Sequence, residues 1–275
     1  MKLRFLYLFF FILLTTNIAR CQISTTETPQ VLEVLFDRLV DNYNDTDRLR
    51  INDSIIMVLD SYIKSDSVFT QRFTNLRYLG QIISPDSLLK IITWNLVLEN
   101  EPGRYYCYFI KKSTVGKSNK VFKLSAAYNE NKVKTDTIYS QSNWYGALYY
   151  DIKPFLINTR HCWVLLGIDY GNLYITRKII EVLSFTPEDS IVFGMKWFAS
   201  DDKIKYRDVF EYSSEATMSL RFKSDSSIFF DHLVSFSPLH KEDHQYFGPD
   251  YSFDAYNLDG GIWKMKINVD ARNKE

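Results

Sequence analysis

The sequence predicts an α+β protein that is mainly β: an N-terminal helical hairpin followed by antiparallel β meanders in a sandwich, a barrel or a curled sheet. Three observations carry this. Between Thr28 and Ile63 apolar residues recur at steps of three and four, the amphipathic helical period. From about Phe69 the pattern changes to apolar and aromatic runs parted by Ser, Asp, Asn, Pro and Gly clusters, the pattern of strands and turns. The chain also holds 19 Tyr, 20 Phe and 5 Trp, and aromatic residues favour strands.

The first element is not part of the fold. Lys2 and Arg4 precede an unbroken apolar run, Phe5 to Leu14; Thr15, Thr16 and Asn17 break it, and Ala19-Arg20-Cys21 follows. Basic, then apolar, then small is the order of a secretory signal. The run is about half the roughly 20 apolar residues that a spanning helix needs. Residues 1–21 are therefore expected to be cleaved, leaving Gln22 first and no transmembrane segment. The alternative is a lipoprotein acylated at Cys21, which Ile18 and Ala19 fit and Arg20 does not. Either way the chain is expected to be exported, to the periplasm, the cell surface or the medium. Removing Lys2, Arg4 and Arg20 leaves 30 of the 33 basic residues against 33 acidic ones, a net charge of −3. Nucleic-acid binding rests on neutralising phosphates, so nucleic acid is not an expected partner.

Residues 22–68 form the helical part. Thr28-Pro29 reads as a helix start with Thr28 as cap, and Val31, Leu32, Leu35, Leu39 and Val40 share a face. The polar stretch Asp41–Asp45 ends that helix. Thr46 or Asp47 can cap a second one, in which Ile51, Ile55, Leu59, Tyr62 and Ile63 share a face. Although rich in acids, Asp41–Asp47 lacks the glycine and closing glutamate of a calcium loop and reads as a solvated turn.

Residues 69–275 form the β-rich part. Strands are expected at 88–96, 105–110, 121–127, 147–152, 163–168, 173–185, 191–198, 203–212, 218–222, 228–236 and 262–269. Asp169-Tyr170-Gly171-Asn172 and Asp259-Gly260-Gly261 read as hairpin turns. Ser84-Pro85-Asp86-Ser87 before Trp94 echoes Thr186-Pro187-Glu188-Asp189-Ser190 before Trp197. This is ordinary turn chemistry, since a propeller needs more strands than are present.

The sequence contains no G-x-S-x-G, H-E-x-x-H, C-x-x-C, P-loop or G-x-G-x-x-G motif, so no cofactor and no metal are expected. Polar density peaks between Phe229 and Asp259, which reads mostly as a surface loop holding His240, Asp243, His244 and Asp250. Asp231-His232 differs, because it sits inside an apolar run; one of the pair must point inward, where it needs a partner. Asp231, His232, Asp250 and Asp254 are the candidate acid/base residues. Trp144, Tyr145 and Tyr251 are the candidate ligand-binding aromatics, with Gly146 allowing a bend or close approach beside the first two. Arg207 and Glu211 fall on one strand face and suggest ion pairs between neighbouring strands. Cys107 and Cys162 lie in strand-like runs. Export permits a bridge between them, and two buried thiols are the alternative.

Strung together, several of these segments resemble a family of uncharacterised exported proteins of Gram-negative bacteria. The resemblance rests on Ser84-Pro85-Asp86 leading to Trp94, Trp144–Tyr150, Leu165–Asp169, Phe210–Ser213, Phe230–Leu233 and Gly248–Ala255, and spans roughly residues 70–272. It implies bacterial export and brings no activity, cofactor or catalytic residue with it. The expected role is a binding or structural module of the bacterial envelope, with a glycan or an envelope protein as partner. The alternatives are a hydrolase acting on glycan or envelope material, or a scaffold docked to a protein partner.

Overall fold

A computed structural model describes residues 27–270 apart from 114–116, 130, 132, 158 and 201. The expected signal peptide at 1–21, with the lipidation alternative at Cys21, lies outside the described residues. The described residues form an antiparallel-rich β protein with an N-terminal helical hairpin, and they build four layers, the helices and three sheets.

Helix α1 (Thr28–Asp41) begins directly after Glu27, with Pro29 in its first turn, where a missing N–H costs nothing. Thr28 is thus a helical residue, not the expected cap. Helix α2 (Asp45–Tyr62) is capped by Asn44, whose side chain accepts the Asp47 N–H at 3.1 Å, so the cap precedes the expected Thr46 or Asp47. Leu32, Phe36 and Leu39 on α1 and Ile51, Ile55, Val58 and Leu59 on α2 are buried, whereas Val40 is exposed.

The first sheet is the meander β1 (Gly80–Ile83), β2 (Leu89–Leu96), β3 (Arg104–Lys111) and β4 (Lys120–Ala127), each pairing antiparallel with the next. Both faces are covered. Ile92, Trp94, Leu96, Tyr108 and Ile110 pack on the helices. Leu89, Ile91, Tyr105, Cys107, Phe109, Phe122 and Leu124 pack on the second sheet. Because successive side chains point to opposite faces, a strand buried on both faces reads as a continuous apolar run.

The second sheet holds β5 (Tyr139–Ser140), β6 (Leu148–Ile157), β7 (Arg160–Asp169), β8 (Ile175–Phe185) and β9 (Ile191–Phe193), in the order β5-β9-β8-β7-β6. The third sheet begins with β10 (Phe198–Ser200) and β11 (Lys203–Lys205). The chain then returns to the second sheet as β12 (Asp208–Ser213), which pairs with Ile175–Ile180 of β8 while β9 pairs with Leu183–Phe185. The third sheet is completed by β13 (Leu220–Ser224), β14 (Ser227–Ser235), β15 (Phe247–Asp259) and β16 (Ile262–Lys266), in the order β11-β10-β16-β15-β14-β13. Cys162, Val164, Leu166, Ile180 and Val182 of the second sheet pack there against Phe198, Ile228, Phe230, Tyr256 and Trp263.

Three further expectations change. The stretch expected to be a surface loop contains β15, a strand of 13 residues; Gly248-Pro249 and the alternating acids hide it, because Pro249 sits where the β14–β15 register breaks. The run 191–198 splits into β9 and β10, and 203–212 into β11 and β12, because the chain changes sheet within each. Cys107 and Cys162 are free, buried thiols packed in different interlayer cores, so the candidate bridge is not formed.

One buried cation pins the helices to the sheet. Lys90 of β2 is fully buried, and its Nζ donates to Tyr62 Oη (2.8 Å) and to the carbonyls of Val68 (2.7 Å) and Gln71 (2.9 Å). None of these acceptors is a carboxylate. Burial, helped by the charge of Arg72, therefore pushes the ammonium down to about 8. Between pH 8 and pH 10 the folded chain has released this proton and the unfolded chain still holds it. Wild-type stability measured by urea unfolding is therefore expected to rise by about 2 kcal/mol relative to Lys90→Met between pH 7.5 and 9.5. A constant difference between the two proteins would mean that Lys90 titrates normally.

Candidate functional site

The described residues hold a cavity of about 730 Å³ at the end of the interface between the first and second sheets. Its walls come from three segments. The end of β4 runs on into Tyr128 and Asn129, the connection to β5 contributes Asn131, Val133 and Lys134, and Tyr139 and Asn143–Tyr145 close the far side; Asp169 also lines it.

Local chemistry sets each wall. Tyr128 stacks on Tyr105, with ring centroids 4.5 Å apart, and its hydroxyl accepts from Asn95 at 2.6 Å. Ser140 and Asn143 form a reciprocal capping box around a single 3₁₀ turn, and Gln141 donates to the Lys123 carbonyl, tying that turn to β4. The chain then has to swing from Trp144-Tyr145 into β6. Gly146 does this at φ +89°, where a Cβ would lie 2.5 Å from the Tyr105 ring; only glycine accepts both the angle and the approach.

Behind the walls, β8 carries two arginine–carboxylate rows on the face turned toward the first sheet. In the first row Asp169, Arg177 and Glu211 are direct cross-strand partners on β7, β8 and β12. Arg177 donates from Nη1 to Asp169 Oδ2 and from Nε to Glu211 Oε1, both at 2.9 Å, and from Nη1 to the Asn129 carbonyl at 3.1 Å. Burial opposes its charge, but the carboxylates outweigh burial and hold it above the ordinary arginine value. Asp169 also accepts the Tyr105 hydroxyl (2.9 Å) and the Gly171 N–H (2.9 Å).

In the second row Arg207 donates to Glu181 at 2.7 Å, and both side chains are fully buried. Arg207 also donates to the carbonyls of Lys134, Thr137 and Phe193 and lies over the Tyr139 ring at 4.5 Å. Tyr145 donates to Glu181 at 3.0 Å. Burial raises the Glu181 carboxyl above the usual carboxylate range against the pull of Arg207, and burial raises the Tyr145 hydroxyl well above its ordinary value. Between the rows, Gly167 leaves room for the Tyr149 ring, whose atoms would stand 3.1 Å from a Cβ there.

The sequence-derived site residues separate into two places. Trp144 and Tyr145 line the cavity, with Trp144 buried and bonded through Nε1 to Tyr149 Oη at 3.1 Å. The candidate acids lie instead on the third sheet, and none of them lines this cavity. Asp231 Oδ2 accepts the Ser219 N–H at 2.7 Å. Asp254 is buried and accepts from His232 Nδ1 (2.7 Å) and the Asn268 N–H (3.0 Å). Asp250 caps a bulge by accepting the N–H and hydroxyl of Ser252, and these bonds pull its carboxyl below the usual range. Tyr251, at the tip of that bulge, is 95% exposed with φ +70°. These acids therefore hold a bulge and a turn in place.

A second depression of about 780 Å³ is lined by Ile175, Glu211 and residues 238–244. Here His240 stacks on Tyr246, and His244 Nδ1 stands 3.2 Å from Glu211 Oε2 without hydrogen-bond alignment. Among the described residues no group of three or more His, Cys, Asp or Glu is placed to hold a metal ion, and no helix is long and apolar enough to cross a membrane.

Glu211 does form an ion pair between neighbouring strands, with Arg177 of β8, whereas Arg207 lies in the bend before β12 and reaches Glu181 of β8 from there. Sequence reasoning passed over the partners, Arg177 and Glu181. Their signal was charge inside a long apolar run: Arg177, Lys178 and Glu181 stand among the Ile, Val and Leu residues of β8.

No family model, no curated protein and no solved structure matches the chain. A functional reading therefore has to come from the geometry of the site.

Arg207→Met leaves the buried Glu181 carboxyl without its countercharge and is expected to cost about 3–5 kcal/mol in urea unfolding. Adding Glu181→Leu is expected to recover part of the loss, because no buried charge then lacks a partner. Equal losses in the single and double variants would show that Arg207 acts through its three carbonyl bonds alone.

Proposed function

We propose that the chain is an exported binding module of the bacterial envelope and that its aromatic cavity takes a neutral glycan. The observation that carries this reading is the lining, which sets Tyr128, Tyr139, Trp144 and Tyr145 beside Asn129, Asn131 and Asn143. A sugar ring offers apolar C–H faces, which pack on aromatic rings, and hydroxyls, which need amide donors and acceptors. Small-molecule sites combine apolar and aromatic walls with a few placed polar groups in this way, at volumes of about 300–1,000 Å³. Of the two charged residues at the cavity wall, the Asp169 carboxylate is already met by Arg177, Tyr105 and the Gly171 N–H, and Lys134 adds one exposed ammonium. The signal-like order of residues 1–21 supports export.

The hydrolytic alternative needs acids and aromatic platform in one cleft. Asp231, His232, Asp250 and Asp254 stand outside the cavity, so the binding reading has the better support.

The test is isothermal titration of the purified protein with disaccharides and longer oligomers of β-1,4-linked N-acetylglucosamine, of β-1,4-glucose and of β-1,4-xylose. At least one series is expected to bind, and Tyr139→Ala is expected to weaken that binding about tenfold, the equivalent of about 1.4 kcal/mol. Binding that Tyr139→Ala leaves untouched would move the site elsewhere. No binding by any series would end the glycan reading.

A further inference from the structure

Asp169 lines the cavity, and Glu211 lines the second depression. Both carboxylates are bound to the same Arg177 guanidinium, at 2.9 Å each. The two hollows are therefore separated by the width of one buried side chain. They also flank one turn, because Asp169 closes β7 on the cavity side and Ile175 opens β8 on the other.

That turn forms a ridge between them, and it carries large side chains that the core leaves outside. Tyr170, Leu173 and Tyr174 are 44%, 86% and 65% exposed. The ridge is nonetheless held firmly. The Tyr170 N–H donates to Tyr105 Oη at 2.8 Å, Asn172 Oδ1 accepts the N–H groups of Tyr174 and Ile175, and Ser214 binds the carbonyls of Leu173 and Tyr174. A surface presented in a fixed conformation loses little entropy when it is covered. Beyond the ridge, the second depression offers the His240 ring stacked on Tyr246 and the polar side chains of Lys241 and Asp243.

We infer that the ligand is a linear oligosaccharide whose chain leaves the aromatic cavity at Asp169, crosses the Tyr170–Tyr174 ridge and enters the depression beside His240. This rests on the glycan reading of the cavity and extends it to the class of glycan: a polymer bound along its length, not a terminal sugar or a disaccharide held in one pocket. Tyr174 is then a specificity-determining residue for chain length.

The experiment is titration of the full purified protein with the di-, tetra- and hexasaccharide of whichever β-1,4 series binds, repeated with Tyr174→Ala and Lys241→Ala. Both variants alter exposed side chains, and thermal unfolding checks that each is folded. The hexasaccharide is expected to bind at least tenfold more tightly than the disaccharide. Tyr174→Ala is expected to remove most of that gain while leaving the disaccharide unchanged, and Lys241→Ala to reduce the gain. Equal affinity for all lengths, with both variants silent, would overturn the extended path and leave the cavity reading standing. Equal loss of di- and hexasaccharide binding in folded Tyr174→Ala would put the ridge inside the primary pocket and also overturn it. Absence of binding by every length in every series would remove the glycan reading and this inference with it.

Discussion

The interior of this protein depends on one guanidinium. Arg177 sits on the central strand of the middle sheet, between Asp169 on one neighbouring strand and Glu211 on the other. Burying three charged groups is costly unless each is paired and hydrogen-bonded. Arginine meets that condition because its planar fork can serve two carboxylates and a carbonyl at once, which a lysine ammonium cannot do with fixed geometry. A slip of one residue in any of the three strands would move a charge from this row to the opposite, apolar face. The row therefore fixes register across β7, β8 and β12 and anchors β12 where the chain comes back from the third sheet to the second. Arg207 and Glu181 repeat the arrangement four residues along β8 and bring in the loop carrying Lys134 and Thr137.

Layering explains which parts of the fold were legible. The helices announced themselves through the spacing of Leu32, Leu39, Ile51, Ile55 and Leu59, since only one face of each is buried. β2 and β3 were legible as continuous apolar runs, since both their faces are covered. β15 was not. It is half-buried, it carries Pro249 at a register break, and Asp250, Ser252 and Asp254 give it the composition of a loop. What makes it a strand is the ladder with β14, from Ser227↔Asn257 to Asp231↔Phe253, resumed at Leu233↔Pro249, and no local pattern encodes a partner strand. The division of 191–198 and 203–212 between two sheets was hidden for the same reason.

The site was legible in part. Trp144, Tyr145 and Gly146 were picked out as a dense aromatic patch, and two of them do line a cavity. Their neighbours Tyr128 and Tyr139 were not singled out, because they come from separate segments that only the stacked sheets bring together. The candidate acids stand apart from this cavity: an Asp in a β-bulge or beside a turn looks in sequence like an Asp in a cleft, and Asp231, Asp250 and Asp254 accept N–H groups of their own surroundings. Charges inside β8 carried more information. A charged residue in a strand covered on both faces has to be answered by another, and the answering residues lay on strands already identified.

Stability and the proposed binding surface follow from the same buried groups. The backbone around the cavity is fixed from within: Arg207 holds the loop at Lys134 and Thr137, Arg177 holds Asn129, Tyr105 holds the ridge at Tyr170, and the Gly146 turn sets the approach of Trp144 and Tyr145. A ligand entering such a site meets side chains whose positions are already determined, so little of its binding energy is spent on ordering the protein. Charges that make the interior expensive to build thus also make its outer wall rigid. Arg177 and Arg207 behind that wall have no charge left over for a ligand: Asp169 and Glu211 already flank the first, and Glu181 the second, so the one positive charge the wall itself offers is the exposed Lys134. An anion placed in the cavity would have to compete with those carboxylates for the same guanidinium groups, in surroundings where an unpaired carboxylate is strongly disfavoured.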